Sequence, residues 1–569
     1  MVATSEAAYQ PGFTPKVLRS EPVADAPPGV GTEADEEWDA ISGKPLSVFS
    51  RIAERIGLTP RMGLNLEYLD NISLSKDDKK HDYITVISPG LTAQILEKTS
   101  GLKLSYDMGY SCYDIATENN TLRHNVQLLG WVRFSKHTRL DFQNAFRFTE
   151  EPVTDIELPD TEEEDDFMGI TSPVSEETED HLAETETIRR RRRHYYSNVT
   201  SVSFQHQFGE ADSFSMKYVC DMLENKDPEI KDTTSHQPSV QVSYWPVPKR
   251  LGLEAKVSCE RDESSETSLG DSGYWEEIVS PSLGLTYKII PRELEVRTQL
   301  SYTRGDQSAT TQGVDNWYES LRPSFGLNYW YIPYQLGIET SVSHESGRFS
   351  DATQDFENWR GSIKVNKKFT KHIQGFVKYT HTLMDFRGNG ENYKVHDPSV
   401  GLTYTLAEGL PLSISLGYIF RDRQESEDDG VLSVSGDLGK TWEFSKHGSI
   451  RLTSSSGYDE SYFGPDKLGF GIYYDTKCVA KYAFSRYISG DIYGAYRREK
   501  YVDLDQKRND EAREIGSGIT FQTRAKWLYI RLNYVHRTLD STSSENDYEE
   551  NRVYLQGMLS PFRPIRLFQ

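Results

Sequence analysis

The chain has 569 residues, 27% of them charged and 12% aromatic, and a formal net charge of -23 at pH 7. This acidic balance argues against nucleic acid as a partner, because a protein that binds phosphate backbones needs a basic face. The sequence contains no apolar run of about 18 residues, the length of a transmembrane helix, which excludes such a helix but leaves a transmembrane β-barrel open.

The N-terminal part has no strand pattern. Residues 1–45 are rich in Pro, Gly, Ala and acidic residues, a composition typical of segments without a packed core. Phe49, Ile52 and Ile56 then recur at helical spacing, which favours a short helix. No basic head followed by an apolar stretch opens the chain, so we expect that the signal peptide needed for export is absent from this sequence. We predict an irregular segment over residues 1–59 that could plug the barrel described below.

From residue 60 to the end, apolar and polar residues alternate in long two-limbed units. Side chains alternate faces along a strand, so each limb predicts a strand that is apolar on one side and polar on the other. Each unit is a hairpin of roughly 40 residues with one short and one long connection. In one limb, the alternate residues of the apolar face are Leu294, Val296, Thr298, Leu300 and Tyr302. The residues between them, which form the polar face, are Glu293, Glu295, Arg297, Gln299 and Ser301.

The second limb of several units carries the motif Pro-Ser-x-Gly-x-x-Tyr or a relative of it. Proline cannot donate a ladder hydrogen bond, so we predict that each proline marks a bulge or a strand start near the long loops. The shared place of the tyrosines predicts an aromatic girdle near the periplasmic rim. The motif occupies residues 238–244 (with Gln in place of Gly), 281–287, 323–329 and 398–404, and a faint copy surrounds Pro89.

Short turns alternate with long acidic connections, which is the pattern of outer-membrane barrels. The predicted fold class is therefore all-β: a single large antiparallel transmembrane β-barrel of about 24 strands, in a range of about 22–26, over residues 60–569. A soluble β-solenoid or a row of β-sandwiches is the alternative, but the turn composition and spacing do not favour it. We expect location in the bacterial outer membrane, with both chain ends periplasmic and with lipid and lipopolysaccharide as neighbours.

The four cysteines lie far apart without a CxxC pair, which excludes a zinc ribbon or a haem-attachment motif. Cys112, Cys220, Cys259 and Cys478 share the parity of the apolar residues in their strands. We predict that all four face the membrane and form no disulfide.

Charged residues recur on the polar parity and are predicted to face the lumen. An arginine on the lipid face would cost about 2–4 kcal/mol at mid-bilayer, which makes the opposite register unfavourable. These side chains could guide an anionic polymer, or they could pair with neighbouring lumenal acids, which we favour because both signs occur. The predicted lumen-facing charged residues are Lys103, Arg139, Arg147, Lys256, Glu295, Arg297, Arg451 and Arg531.

The longest connection, residues 150–193, runs acidic and then ends in five consecutive arginines. Blocks of like charge are usually solvated, but this loop could also fold back as a gate over the mouth. The candidate gate residues are Glu163, Asp165, Arg190 and Arg192.

We predict no enzyme, no metal and no cofactor. His536, Ser454 and Ser456 have membrane-facing parity, but no spacing joins them into a nucleophile and base held by a third polar group. The acidic loops lack the ligand spacing of a calcium-binding EF-hand.

Several stretches in this order resemble a known group of barrels. They are the segment Tyr68-Leu69-Asp70-Asn71-Ile72-Ser73-Leu74, the segment Thr149-Glu150-Glu151-Pro152, the arginine run before Tyr195-Tyr196, and the Pro-Ser strands. With them the chain resembles, over nearly its whole length after residue 60, the uncharacterised outer-membrane β-barrel proteins encoded with exopolysaccharide and PEP-CTERM/exosortase systems of Gram-negative bacteria. The resemblance implies polysaccharide passage or outer-membrane architecture, with a polysaccharide and periplasmic export proteins as partners.

The leading hypothesis is thus a channel or scaffold barrel for exopolysaccharide export. The alternatives are a porin sheath around a multihaem cytochrome of an electron conduit, and a general diffusion porin. A barrel of about 24 tilted strands would be about 45 Å wide, so we expect something to occlude it. The two candidates are residues 1–59, the better one, and the loop over residues 150–193.

Overall fold

The structure is a computed structural model that describes residues 56–150, 194–266, 268, 273–308, 316–388, 390–407, 410–424, 429–438, 442–461, 469–501, 508–524, 527–542, 547–561 and 565–566. The predicted helix at Phe49 and Ile52, the possible plug over residues 1–59 (apart from residues 56–59) and all four candidate gate residues lie outside the described residues.

The described chain is built almost entirely of strands. They are β1 Gly57–Leu69, β2 Asp82–Leu96, β3 Ser100–Tyr113, β4 Thr121–Ser135, β5 Thr138–Thr149, β6 Tyr195–Gln207, β7 Ser213–Asn225, β8 Thr233–Val247, β9 Leu251–Ser264, β10 Tyr274–Ile290, β11 Leu294–Gln307, β12 Asn316–Ile332, β13 Leu336–Phe349, β14 Phe356–Lys368, β15 Ile373–Phe386, β16 Tyr393–Ala407, β17 Leu410–Arg423, β18 Asp429–Leu438, β19 Trp442–Ser445, β20 Gly448–Ser461, β21 Gly469–Ala483, β22 Ile488–Tyr501, β23 Arg508–Gln522, β24 Leu528–Ser541, β25 Tyr548–Leu559 and β26 Ile565–Arg566.

Two short 3-10 helices, Thr117–Asn119 and Ala352–Gln354, lie in connections between strands. Within the described ranges, no helix is long and apolar enough to span a membrane.

The strands form one closed antiparallel barrel. Neighbours in the chain pair with each other, and the sheet closes where β1 pairs with β25, from Met62↔Leu559 to Leu69↔Arg552. β18 and β19 follow one another along a single position of the sheet, and so do β25 and β26, which gives 24 strand positions. The predicted fold class and strand number are confirmed.

The barrel begins earlier than predicted. β1 starts at Gly57 instead of at residue 60, because Gly57 and Leu58 pair with β2 on one side and with the short strand β26 on the other. Pro60 does not interrupt β1, whose register with β2 continues through it. The prediction that began the strand at Pro60 therefore made it too short at its N-terminal end.

The two faces of the wall follow the sequence alternation. Exposed apolar side chains occupy every second position and form the outer face, as in β3 with Leu102, Leu104 and Tyr106. An apolar outer belt of this kind is what a transmembrane barrel presents to lipid. The side chains between them point to the lumen. Cys112, Cys220, Cys259 and Cys478 are free thiols, as predicted, and all have the parity of the outer face.

The prediction that the motif prolines form bulges or strand starts is wrong. Pro238, Pro281, Pro323, Pro398 and Pro89 lie inside β8, β10, β12, β16 and β2, and the register continues past each without a shift. Each proline pairs with a residue of the preceding strand. On the side of the following strand, two residue pairs are missing at each proline. The ladder with the preceding strand keeps the register, so the loss of one backbone N–H donor at the proline does not force a bulge.

The motif tyrosines share one level of the barrel. Tyr244, Tyr287, Tyr329 and Tyr404 each lie three residues before the end of their strand at a short turn, and all are exposed. This common place agrees with a girdle at the end of the barrel that carries the short turns, called the short-turn end below. The opposite end, with the longer connections, is called the loop end.

Candidate functional site

Among the described strands, one junction of the barrel wall is weak, that between β18 and β20. Backbone pairing there consists of Gly436↔Ser454 and Asp437↔Thr453, whereas the neighbouring β17 and β18 pair over ten residues of each strand. The short strand β19 adds pairs only nearer the short-turn end. We call this junction the seam.

Side chains replace the missing ladder along the seam. The amide of Val434 donates to the hydroxyl of Ser456 over 2.9 Å, and that hydroxyl lies 2.9 Å from the carbonyl oxygen of Val434 and 3.0 Å from the Ser433 hydroxyl. The Tyr474 hydroxyl donates to the carbonyl of Leu432 over 2.7 Å. Bonds of this kind contribute about 0.5–1.5 kcal/mol each, so a few of them hold the seam where a full ladder holds the rest of the wall.

Beyond the seam, β20 and β21 turn into the lumen. Tyr458 has the parity of the outer face, because it is in register with Ile472 of β21, on the same side as the exposed Cys478 and Tyr482. Its hydroxyl nevertheless lies 3.0 Å from that of the lumenal Thr382 on β15. In the wall, β15 and β20 are separated by β16 to β19, so these two strands can touch only across the lumen. We call residues 455–461 and 469–476, the part that crosses, the inner hairpin.

The guanidinium of Arg360, on the lumen side of β14, adds a second contact with the inner hairpin. Its carbon lies 5.8 Å from the centre of the Tyr458 ring. A cation within about 6 Å of an aromatic face is attracted to it. The inner hairpin is therefore held at the seam, on the opposite wall and by the ladder between β21 and β22, which continues to Gly471↔Tyr501.

An apolar cluster packs against the inner hairpin at the loop end of the lumen. Its buried members come from β10 and β12 to β17, together with one residue of the hairpin itself, and Tyr458, Tyr474 and Phe386 pack against them. Such an apolar surface has to be shielded from water. The cluster consists of Ile278, Tyr318, Phe349, Phe356, Met384, Tyr393, Val395, Ile419 and Ile472.

Two glycines make room for rings of the cluster. Gly305 lies opposite Tyr318, and Gly347 opposite Phe356. A Cβ atom at either glycine would lie 2.1 or 2.2 Å from a carbon of the facing ring. Both rings thus lie flat on the neighbouring backbone and keep the lumen wall smooth.

A hydroxyl belt lines the middle of the lumen from β8 to β18. Many of its members face each other across neighbouring strands, as Ser341 and Ser362 do, with oxygens 2.7 Å apart. Each hydroxyl can donate one hydrogen bond and accept two, so the belt can bind polar solutes without charge. The belt consists of Ser239, Ser258, Ser280, Ser282, Ser301, Thr303, Ser320, Ser324, Ser341, Ser343, Ser362, Thr380, Ser399, Thr403, Ser413, Ser415, Ser433 and Ser435.

The belt explains the repeated motif. Within 281–287, Pro281 and Tyr287 have outer parity, whereas Ser282 and Gly284 face the lumen. Ser282 then lies opposite Ser301 of the next strand. The motif therefore places a hydroxyl in the lumen and a tyrosine at the membrane rim in one strand.

The opposite side of the lumen, which we call the ion-paired wall, is formed by β22 to β25 and β1 to β5. Arg537 donates to Glu514 over 2.8 Å, and Glu514 also accepts from the Tyr493 hydroxyl over 2.8 Å. Arg552 lies 2.6 Å from Glu67 across the closing strand pair. Because buried charges need close partners, these networks fix side chains along this wall.

The predicted lumen-facing charged residues are spread around the barrel and form no single cluster. Three of them form ion pairs with lumenal carboxylates: Arg139 with Asp141 at 2.8 Å, Arg297 with Glu295 at 2.5 Å, and Arg531 with Asp491 at 3.0 Å. The two predicted residues that contact each other are thus Glu295 and Arg297. The pairing supports a structural function for these charges.

The other predicted charged residues have more varied surroundings. Lys103 and Arg147 are half-buried on β3 and β5. Lys256 is exposed between Gln241 and Ser282, and Arg451 is exposed opposite Val479. These four remain predicted lumen residues without an assigned function.

Ser454, Ser456 and His536 form no catalytic group. Ser454 lies 2.7 Å from Thr476, Ser456 closes the seam, and His536 lies 2.9 Å from Asn551 on β25. In the described part of the chain, no group of three or more His, Cys, Asp or Glu residues could hold a metal ion.

Sequence reasoning missed the inner hairpin, although one signal was present. The outer parity of β20 and β21 carries hydroxyl residues, Ser454, Ser456, Tyr458 and Thr476, where other strands carry aliphatic ones. Polar residues on a lipid-facing parity indicate a segment that leaves the membrane wall. The contact with β14 and β15 could not be read from this signal.

Comparisons with known proteins find similar folds among solved structures. No family model matches the chain, and no curated protein matches it. Among solved structures, the FrpB iron transporter from Neisseria meningitidis (F3-3 variant) is similar at 10% identity with a TM-score of 0.50, covering 89% of this chain and 81% of that chain. A mutant of the ferric enterobactin receptor PfeA from Pseudomonas aeruginosa is similar at 8% identity with a TM-score of 0.46, covering 89% and 80%.

At these identities the likeness concerns the fold alone. The closed barrel and its apolar outer belt support one conclusion. The protein is a β-barrel of the bacterial outer membrane.

Proposed function

We propose that this protein is a gated channel for an uncharged, hydroxyl-rich polymer, with exopolysaccharide as the first candidate. The observation that carries the proposal is the hydroxyl belt. Sugar hydroxyls and serine hydroxyls both donate and accept, so they exchange hydrogen bonds at little net cost as a chain moves past. A carbohydrate would therefore be held weakly at many points and strongly at none.

The charged residues favour a neutral cargo. On the ion-paired wall, arginines such as Arg537 and Arg531 are engaged by Glu514 and Asp491. A guanidinium that already has a carboxylate partner attracts an anionic polymer less than a free one does. The lumen thus combines an ion-paired wall on one side with the hydroxyl belt on the other, where charged residues such as Lys256 and the Glu295–Arg297 pair also occur.

The inner hairpin supplies the gate. It occupies the loop end of the lumen, and it is held at the seam by hydrogen bonds of Ser456 and Tyr474. Movement of the hairpin toward the wall would widen the passage without breaking a strand pair elsewhere. This arrangement favours a gated channel over a general diffusion porin, and it leaves less room for a cytochrome inside the barrel.

The resemblance to barrels encoded with exopolysaccharide systems points to the same cargo class. We include the uptake of iron chelates as a competing outcome of the test, since the similar solved structures are an iron transporter and a ferric enterobactin receptor.

The test uses the full chain in proteoliposomes and compares three entrapped probes: neutral dextran, polyglutamate of similar size, and ferric enterobactin. We expect dextran to leave faster than polyglutamate. Removing four belt hydroxyls (Ser282→Ala, Ser301→Ala, Ser341→Ala, Ser362→Ala) should slow dextran roughly threefold to tenfold, which corresponds to a net loss of about one hydrogen bond of about 1 kcal/mol along the path.

The matched control is Ser517→Ala, which removes an exposed hydroxyl on the outer face of β23. This variant should transport dextran like the wild type. Equal release of dextran and polyglutamate, or release of ferric enterobactin alone, would contradict the proposed cargo class.

A further inference from the structure

The seam opens toward the hydrocarbon region of the membrane. On the loop side of Gly436 and Ser454, the backbone ladder between β18 and β20 ends. The outward side chains beside this gap are the exposed Leu432 and Val434. Since the longer loops of such barrels lie outside the cell, the gap faces the outer leaflet.

Directly behind the gap lies the apolar cluster. The inner hairpin covers it with Tyr458, Ile472 and Tyr474. If the hairpin moves away, buried side chains such as Val395 and Ile419 would face water, which is unfavourable in proportion to the apolar area exposed. A hydrocarbon chain that took the place of the hairpin would restore their apolar surroundings.

The seam can open without unzipping a strand pair. Its closing bonds run from the Ser456 and Tyr474 side chains to the backbone of β18. Rotation of these two side chains would release them. At every other junction between described neighbouring strands, opening would break a backbone ladder of at least eight residue pairs, the length of the β1–β25 pairing.

A second apolar feature lies beside the seam on the outer surface. Where Pro398 interrupts the ladder between β16 and β17, a shallow groove of about 350 Å³ opens toward the membrane. It reaches β17, the strand next to β18, and its size and apolar lining suit a hydrocarbon chain. The apolar part of its lining consists of Val377, Tyr379, Pro398, Val400, Leu416 and Tyr418, and Lys378, Ser399 and Gly417 complete it.

We infer that the seam and the apolar cluster form a binding site for the hydrocarbon chain of an outer-leaflet amphiphile, which enters sideways between β18 and β20. The chain replaces the apolar side chains of the inner hairpin, while the polar end of the amphiphile stays at the membrane surface. This inference does not depend on the polymer that the channel carries.

The experiment locks the seam with a disulfide. In a background with Cys112→Ser, Cys220→Ser, Cys259→Ser and Cys478→Ser, the pair Ser433→Cys and Ser456→Cys places thiols where hydroxyls lie 3.0 Å apart. The matched control pair is Ser341→Cys and Ser362→Cys, whose hydroxyls lie 2.7 Å apart within a complete ladder.

The probe is a phosphatidylethanolamine with a diazirine at the end of one acyl chain, mixed into proteoliposomes of the full chain. After illumination, mass spectrometry locates the labelled residues. With the seam thiols reduced, we expect labels on lumen-facing residues of the apolar cluster, such as Val395 and Ile419. Oxidation of the seam pair should reduce these labels to background, whereas oxidation of the control pair should leave them unchanged.

Labels on Val377 and Tyr379 in the outer groove serve as the internal reference, because the lock does not block that surface. Lumen labels that are absent in the reduced protein, or equally strong after the seam is locked, would overturn the inference while leaving the proposed channel untouched.

A single substitution tests the same site if the cysteine pair does not fold. Ser456→Ala removes the hydroxyl that bonds to Val434, and it should raise lumen labelling roughly threefold to tenfold, as expected for the loss of about one hydrogen bond that keeps the seam shut. Ser454→Ala, one outer-parity step nearer the short-turn end, is the control and should leave the labelling unchanged. Unchanged labelling in Ser456→Ala as well would contradict the lateral site.

Discussion

The ion-paired wall and the hydroxyl-lined wall with its inner hairpin enclose the same lumen, but they hold their side chains by different means. On the ion-paired wall, side chains such as Glu514 and Arg537 are fixed to neighbours by charge. On the other, hydroxyls such as Ser341 and Ser362 make single neutral bonds. A wall fixed by ion pairs stays rigid, whereas a wall of weak neutral contacts can accept a moving hairpin or a passing solute.

This difference has a physical cause. A charge inside a protein needs its partner at close range, so losing that partner is expensive. A hydroxyl can turn to another hydroxyl or to water with little loss of free energy. We therefore expect substitutions on the ion-paired wall to affect stability, and substitutions on the hydroxyl and hairpin side to affect permeability.

The largest effect is expected for Arg537→Ala. The variant removes the guanidinium of Arg537 from the carboxylate of Glu514, whose side chain is 2% exposed. Loss of one partner from a buried ion pair typically costs about 3–5 kcal/mol, so the free energy of unfolding should fall by about that amount. Denaturant unfolding in detergent micelles, followed by tryptophan fluorescence, measures it.

The control for this variant is Arg261→Ala, which breaks exposed ion pairs with Glu263 and Glu277 on the outer face at the loop end of β9 and β10. Exposed pairs contribute little because water and salt screen them. We expect no measurable change in the free energy of unfolding of this variant. Equal losses in the two variants would mean that the ion-paired wall is no more rigid than the rest of the barrel.

An intermediate effect is expected for Tyr458→Ala, and on permeability instead of stability. The substitution removes the contact with Thr382 and the ring that packs against the apolar cluster. The inner hairpin should then spend more time away from the opposite wall, which should raise single-channel conductance severalfold.

Tyr331→Ala is the control, since Tyr331 lies 68% exposed on the outer face at the short-turn end. Its conductance should equal that of the wild type. A Tyr458→Ala channel with unchanged conductance would show that the inner hairpin does not limit passage.

The smallest effect is expected for Pro398→Ala. The new amide can donate to β17 across the gap in the ladder, a gain of about 0.5–1.5 kcal/mol. Greater freedom of the unfolded chain offsets about 0.4–1 kcal/mol of it. The free energy of unfolding should therefore change by less than about 1 kcal/mol. Hydrogen exchange should show that the new amide is protected. Rapid exchange at residue 398 would mean that the proline is not what interrupts this ladder.

Sequence alternation determined which face each strand residue occupies. The positions of Leu102, Leu104 and Tyr106, of the four cysteines and of the motif tyrosines follow from a period of two residues together with the cost of charge in lipid. The strand count follows from the same pattern. These are local properties, because each depends on a residue and its neighbours in the chain.

Only the tertiary structure decided what the lumenal residues contact and where the wall is weak. The seam depends on the balance between a backbone ladder and the bonds of Ser456 and Tyr474, whose partners lie in β18. The contact of Tyr458 with Thr382 joins residues 76 positions apart. An alternation with a period of two determines which residues share a face of a strand, but it does not determine whether the strand stays in the barrel wall. Leu432 and Tyr458 therefore share the outer parity, although Leu432 faces the membrane and Tyr458 lies inside the lumen.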